Sequence, residues 1–455
     1  MTTVEVPSAS AVTGGTPPPT RSWKAALSST ELDTRLLGML ASIAAIWIAF
    51  HILSGGDFLT SRNLWNLSVQ STSIAIMATG MVLIIVSRNI DLSVGSLLGM
   101  LGYTMALVQT DGIFAFFGIN VTWHGLPNEA YVWIIALAFG LLLGALVGTL
   151  QGFIVAYVGV PAFIVTLGGF LVWRGAIFRM GDKQGQTLAP LNETFQLLGG
   201  GQKGTLGDWK SWLVAILACA GIILSLVLAR RARRRHDLGV RPFWVDVSLA
   251  VVGCGAVIVA VGLVANRYKS PATGQPQGIA IPVVILIGVT LLMSYLSKRR
   301  RFGRYVFAYG GNPEAAELGG INTRRTVMFA FTTMGLLCGV SAAIQTARLN
   351  AAVTNLGVQN ELDVIAAAVI GGTSFAGGIG TIFGAVLGAV VMQSLRSGMV
   401  LLKIDSPSQD IVVGVVLVTA VAIDSTLRQG RRRWALGALI VGLVVAAVMI
   451  QSGRP

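Results

Sequence analysis

Apolar residues run through this chain in long blocks, broken by short polar interruptions. Crossing about 30 Å of hydrocarbon takes about 20 apolar residues. Blocks near that length cover 36–53, 71–87, 92–109, 131–157, 162–178, 211–229, 243–265, 281–297, 326–346, 380–400, 409–426 and 435–451. A shorter, glycine-interrupted block at 364–376 reads as a half-span or re-entrant piece. Trp123, Trp133, Trp209, Trp212, Trp244 and Trp434 fall beside block ends, where interfacial tryptophans belong. The pattern predicts an all-α, polytopic transmembrane helix bundle of about 11–13 spans.

Composition agrees. Of 455 residues, 54% are hydrophobic and 11% charged, against about 25% charged in soluble domains; mean hydropathy is +0.75. The net charge of +14 lies in runs between blocks, "RRARRRH" (230–236), "KRRRFGR" (298–304) and "RQGRRRW" (428–434). Such runs mark loops retained in the cytoplasm and form no single basic face for nucleic acid. The loops 230–242, 298–325 and 428–434 are therefore expected inside, and the polar segments 110–130, 179–210 and 266–279 outside. The run at 428–434 is inside only if 364–376 completes a crossing. Residues 1–34 read as a disordered cytoplasmic tail with no signal-peptide cleavage pattern, and 428–455 as a basic, apolar extension with an extra span.

No enzyme site emerges. His51, His124 and His236 stand alone, and Cys219, Cys254 and Cys338 lie in apolar blocks without metal-ligand spacing, as packing residues would. There is no phosphate-binding G-x-x-x-x-G-K-[ST]. If ATP drives this machine, another chain binds it.

Two polar breaks carry the candidate chemistry. "SRNIDLSVGSLLGM" (87–100) sets Arg88, Asn89, Asp91 and Ser93 between two spans. Ionisable groups at membrane depth are costly and point to function; Asp91 is equally suited to cap the following helix. "AAAVIGGTSFAGGIGT" (366–381) is the counterpart break, where Thr373 and Ser374 can bond freed backbone groups. Asn89, Asp91, Ser93, Thr373 and Ser374 are the candidates for a translocation path. Arg174, near a block end, reads as snorkelling to the interface. Glycines four apart, Gly140, Gly144, Gly148 and Gly152, then Gly380, Gly384 and Gly388, read as close helix packing. One ladder in each part hints at two related halves with interrupted helices.

The basic segment 298–325 holds one short helix. Asn312 is an N-cap type, Pro313 suits the first helical position, Glu314 and Glu317 favour the positive helix end, and Gly319-Gly320 supplies the stop. About six residues of helix are unstable alone in water. This one needs something to dock against.

"GNPEAAELGGI" resembles the E-A-A-x-x-x-G coupling loop of ABC importer permeases, with Glu314, Ala315, Ala316 and Gly320 in the matching places. Together with "IDLSVGS", "PAFIVTLG…WRGAIF" and "ELDVIAAAVIGGTSFAGGIGTIFGAVLGA", it resembles the monosaccharide (ribose/xylose/arabinose-type) branch, and most of all its xylose-type permeases. The resemblance implies a transmembrane permease domain over 35–427 in a bacterial inner membrane, working as a homodimer with the sugar path near the dimer axis. It implies a cytoplasmic ABC ATPase that carries ATP and magnesium, and a periplasmic sugar-binding protein that delivers a pentose such as D-xylose. No cofactor is expected on this chain. The coupling residues it implies are Gly303, Arg304, Asn312, Pro313, Glu314, Ala315, Ala316 and Gly320. The other transport class, a secondary transporter driven by ions, would need an intramembrane carboxylate–cation relay. Asp91 is the acidic candidate in the first half, and Asp363 lies near a span edge.

Overall fold

A computed structural model describes residues 34–112, 131–180, 187–189, 191–201, 204–236, 242–270 and 274–428. The expected N-terminal tail (1–33) and most of the C-terminal extension, including its expected span at 435–451, lie outside the described residues, as do Trp123 and Trp434.

The described residues are mostly helical, and no named strand occurs among them. The helices are α1 (Thr34–Leu53), α2 (Ser61–Val86), α3 (Val94–Thr110), α4 (Val132–Phe153), α5 (Ala162–Arg179), α6 (Glu193–Gln196), α7 (Gly207–Arg235), α8 (Phe243–Val259), α9 (Ile281–Arg299), α10 (Arg301–Gly311), α11 (Pro313–Leu318), α12 (Thr323–Leu349), α13 (Asn360–Ile370), α14 (Ile382–Leu401) and α15 (Ser406–Arg428). Single π-helical stretches prolong α4 to Val158 and α8 to Ala265. Among the described residues, eight helices are long and apolar enough to cross a membrane, and α1, α3 and α15 contain shorter apolar runs.

Burial sorts these helices into layers. α2 is enclosed almost along its whole length, and α9, α12, α13 and α14 pack around it. The hairpin of α7 and α8 presents most of its apolar surface outward, as a lipid-facing pair should. Its outer end is tied to the bundle where the Ser61 hydroxyl donates to Leu263 O (2.7 Å) and the Trp65 indole to Gly278 O (2.9 Å). Cys219 and Cys254 face one another across this hairpin, each thiol against the other's carbonyl, and Cys338 is buried against Val94 O. All three are free.

The glycine ladders are packing devices. A Cβ added at Gly144 would stand 2.4 Å from Gly335 O, and one at Gly148 2.3 Å from Phe331 O, so α4 and α12 touch backbone to backbone. Gly384 and Gly388 do the same for α14 against Gly371 and Ala367. In lipid, where apolar burial gives little drive between helices, such close approach is the main source of attraction.

Three boundaries differ from the apolar pattern. α2 begins at Ser61, ahead of the block at 71, because Thr60 caps it there, its side chain accepting from Asn63 N. The basic segment contains an additional helix, α10, whose apolar positions lie on one side and bury Val306. The third concerns 364–376. α13 has 11 residues, about 16 Å at 1.5 Å per residue. Residues 371–381 then continue as non-helical chain until Gly378 N reaches Val86 O (3.0 Å) at the end of α2 that faces α10. α14 returns, and near its far end Ser397 Oγ donates to Asn63 at the opposite end of α2 (3.0 Å). The segment 371–381 is thus a turn that brings α14 back beside the end of α13, where Gly371 and Gly384 meet backbone to backbone; the basic run beyond Arg428 lies outside the described residues.

Candidate functional site

Two arrangements stand out, one at the Ser87 end of α2 and one beside its middle. The first gathers both polar breaks around the basic segment. Ser87 ends α2, and Arg88 turns the chain with φ +60°, a left-handed conformation unusual for a residue with a side chain. Its guanidinium then donates from Nε to Gly310 O (2.7 Å) and from Nη2 to Gly311 O (2.9 Å). Gly377 and Gly378, also at positive φ, close the second break against the same spot: a Cβ on Gly377 would meet Gly310 O and the Arg88 Cγ. Within 371–381, Ser374 N donates to Ile379 O (2.9 Å) and Ala376 N to Ser374 Oγ (3.1 Å), while the Thr373 hydroxyl is buried without a hydrogen-bond partner among the described residues. The two breaks and the end of α10 thus form one junction.

α11 projects from that junction. Asn312 Oδ1 accepts from Ala315 N (3.0 Å). At the other end Gly320, φ +79°, donates to Glu317 O (2.9 Å) and Ile321 N to Ala316 O (3.1 Å), a Schellman closure. Ala316 faces inward; Glu314, Ala315 and Glu317 are exposed or partly so, and Leu318 is 90% exposed. Leu318 is one residue the caps did not single out. Gly303 sits where a Cβ would strike Ser297, fixing α10 against the end of α9, while Arg304 is exposed beside it.

Asn89, Asp91 and Ser93 belong to the junction's flank. Asp91 Oδ1 accepts from both Ser93 N (2.8 Å) and Ser93 Oγ (2.7 Å), and Gln151 Nε2 donates to Ser93 Oγ (2.9 Å). Asp91 thereby turns the chain into α3. Asn89 folds back onto Ser87.

The second arrangement is a polar cavity of about 320 Å³ beside the middle of α2, lined by α2, α12, α13 and α14. None of the five translocation candidates lines it. Its wall is built from Gln70, Gln345, Asn360 and Gln393 around the Asp363–Arg396 pair. Asp363, 2% exposed, is held two-fold: Arg396 Nε donates to Oδ2 (2.7 Å) and Nη2 to Oδ1 (3.0 Å). Asp363 is at the helix edge, as its position in the chain predicts, but it is buried and ion-paired. Gln393 Nε2 donates to Gln70 Oε1 (2.8 Å), and Asn360 Nδ2 to Gln345 Oε1 (3.2 Å).

These wall residues escaped the pattern because Gln345 and Gln393 stand alone within apolar blocks, and Gln70 and Asn360 lie just outside them. A signal was present nonetheless. Four helices each carry an amide followed three residues later by another polar group: Gln70/Ser73, Gln345/Arg348, Asn360/Asp363 and Gln393/Arg396. Spacing of three puts both members on one helical face.

Arg174 is placed differently from the snorkelling expectation. Its Nη1 donates to Thr354 O (3.1 Å) and Leu356 O (3.2 Å), bracing the 350–359 loop that leads into α13 and the cavity rim.

Residues 63–421 match the family described as branched-chain amino acid transport system / permease component. The xylose transport system permease protein of Haemophilus influenzae is 38% identical over 400 residues, 88% of this chain and 98% of that one. Its Escherichia coli counterpart is 36% identical over 408 residues, 88% and 94% respectively. The ribose import permease protein of Escherichia coli is 31% identical over 388 residues, 84% and 92%. No solved structure matches.

Proposed function

The chain belongs to the branched-chain amino acid transport system / permease component family, and from that premise we propose that it is the membrane-spanning subunit of an ATP-driven monosaccharide importer, with D-xylose or a related pentose as cargo. It is a multi-pass protein of the inner membrane. The relatives named for xylose cover almost their full length here, which favours a pentose.

The observation that carries the mechanism is α11. It is capped at both ends, exposes Leu318 and is bolted through the adjacent Gly310–Gly311 to Arg88. A helix too short to stand alone gains its stability from what it docks on. A cytoplasmic ATPase that grips α11 would therefore move the ends of α2 and 371–381 together, since all three meet at one junction. ATP and magnesium stay on that partner, and a periplasmic binding protein supplies the sugar to the opposite face. Two copies of the chain would form the working unit.

The buried Asp363–Arg396 pair gives the ion-driven reading one point in its favour, because a carboxylate–cation pair is what a relay needs. Both carboxylate oxygens are, however, held by the same guanidinium.

Uptake of labelled D-xylose by transport-deficient cells expressing the chain with its ATPase and binding protein separates the two. The importer reading predicts uptake that survives a protonophore and stops when ATP is depleted. Uptake abolished by the protonophore while ATP is maintained contradicts it.

A further inference from the structure

We propose that the cavity between α2, α12, α13 and α14 is a sugar-binding station of the permease itself, recognising one neutral polyhydroxylated ring through two amide pairs, Gln70 with Gln393 and Gln345 with Asn360. The inference rests on the importer reading and adds a site and a recognition chemistry to it.

The hydrogen-bond inventory of the wall carries the argument. In the first pair Gln393 gives an N–H to the Gln70 carbonyl, which leaves the Gln70 amino group and the Gln393 carbonyl uncommitted. In the second, Gln345 Oε1 accepts from Asn360 Nδ2 and Ser73 Oγ (3.4 Å), which leaves the Gln345 amino group and the Asn360 carbonyl. Exchanging nitrogen and oxygen within both amides of a pair preserves the result. Each pair always offers one free amino group and one free carbonyl, side by side. A hydroxyl donates one hydrogen bond and accepts others, so adjacent donor and acceptor groups are its natural complement. Two such pairs on the cavity wall address hydroxyls at two places on a ring.

Charge narrows the class. Asp363 is the carboxylate on the wall, and Arg396 occupies both its oxygens. An amino acid's ammonium would enter without a carboxylate to meet it, and an unpaired charge taken out of water is strongly disfavoured. A neutral sugar carries no such cost. Arg348, also on the wall, offers a cation to an acidic sugar, which makes an aldonate the natural competitor. A volume of about 320 Å³ sits at the low end of the roughly 300–1,000 Å³ usual for small-molecule sites, room for one ring and not a chain of them.

The test uses the full-length chain in nanodiscs, with Cys219, Cys254 and Cys338 changed to Ser and a single thiol introduced by Val358→Cys at the cavity rim, where Val358 is 50% exposed. Alkylation of that introduced thiol by a hydrophilic maleimide is followed with D-xylose, D-xylonate or L-leucine. We expect D-xylose to slow alkylation saturably while L-leucine has no effect and D-xylonate a smaller one. Adding Gln393→Leu should remove protection without changing the rate in its absence. In cells, the same Gln393→Leu change on the otherwise native chain should raise the half-saturation of D-xylose uptake about tenfold, the effect of one hydrogen bond lost. Uptake of D-xylose by the native chain with no protection by any sugar, or with Gln393→Leu leaving half-saturation unchanged, overturns the station and leaves the importer standing. Protection by L-leucine together with no D-xylose uptake overturns both.

Discussion

The Nε of Arg88 donates to the carbonyl oxygen of Gly310 at 2.7 Å, joining residues 222 positions apart. With its second bond to Gly311 O and the Gly378 N–H on Val86 O, it locks the end of α2, the second break and the base of α11 into one piece. Movement imposed on α11 has a direct path to the helix that lines the cavity along its middle.

Arg88→Gly keeps the left-handed turn accessible but removes both bonds. Hydrogen bonds to charged groups contribute about 1.5–3 kcal/mol each. D-xylose uptake should fall by about tenfold or more while the ATPase still co-purifies, because α11 itself is untouched. Parallel uptake and pull-down measurements check this; unchanged uptake would mean the clamp carries no motion.

Gly148→Leu should destabilise the bundle and Gly175→Leu should not. A side chain at Gly148 drives into the α12 backbone, whereas Gly175 has open space beside it. Overpacking of this kind costs about 1–3 kcal/mol. Thermal denaturation in detergent, followed by the loss of monodisperse protein, compares the two.

Arg396→Gln strands Asp363 as a buried charge, at a cost of about 3–5 kcal/mol. Asp363→Asn together with Arg396→Gln removes both charges and should recover most of that loss. The same denaturation measurement reads it, and equal stability of single and double variants would deny that the pair is electrostatically coupled.

Asn312→Ala removes the side-chain acceptor for Ala315 N and should cost about 1 kcal/mol of helix stability. On the proposal that the ATPase grips α11, the loss appears as several-fold weaker ATPase association. Asn312→Asp, which preserves the cap, should retain association.

Much of this was readable from local chemistry. The spans followed from apolar blocks, and α11 from Asn312, Pro313 and Gly320, because capping is decided by residues a few positions apart. Gly144 and Gly148 announced a close helix contact for the same reason, though not that the partner is α12. The junction was less legible. Arg88 and Asp91 stood out as polar groups at depth; Asp91 bonds Ser93 two positions on, but Arg88's partner Gly310 depends on which segments meet. The cavity was hidden, because Gln70, Gln345, Asn360 and Gln393 are single polar residues on four helices and only tertiary packing gathers them. Arg174 misled for a related reason: an arginine near a span end has both water and backbone carbonyls within reach, and the sequence does not rank them.

The most direct measurement of the coupling claim is co-purification of the ATPase with a Glu314→Lys variant, alongside D-xylose uptake and membrane insertion. Reversing charge at the first turn of α11 opposes the helix dipole and alters the docking face. The expected result is normal insertion, loss of the ATPase and loss of uptake. An inserted Glu314→Lys protein that still takes up D-xylose at the native rate would contradict it.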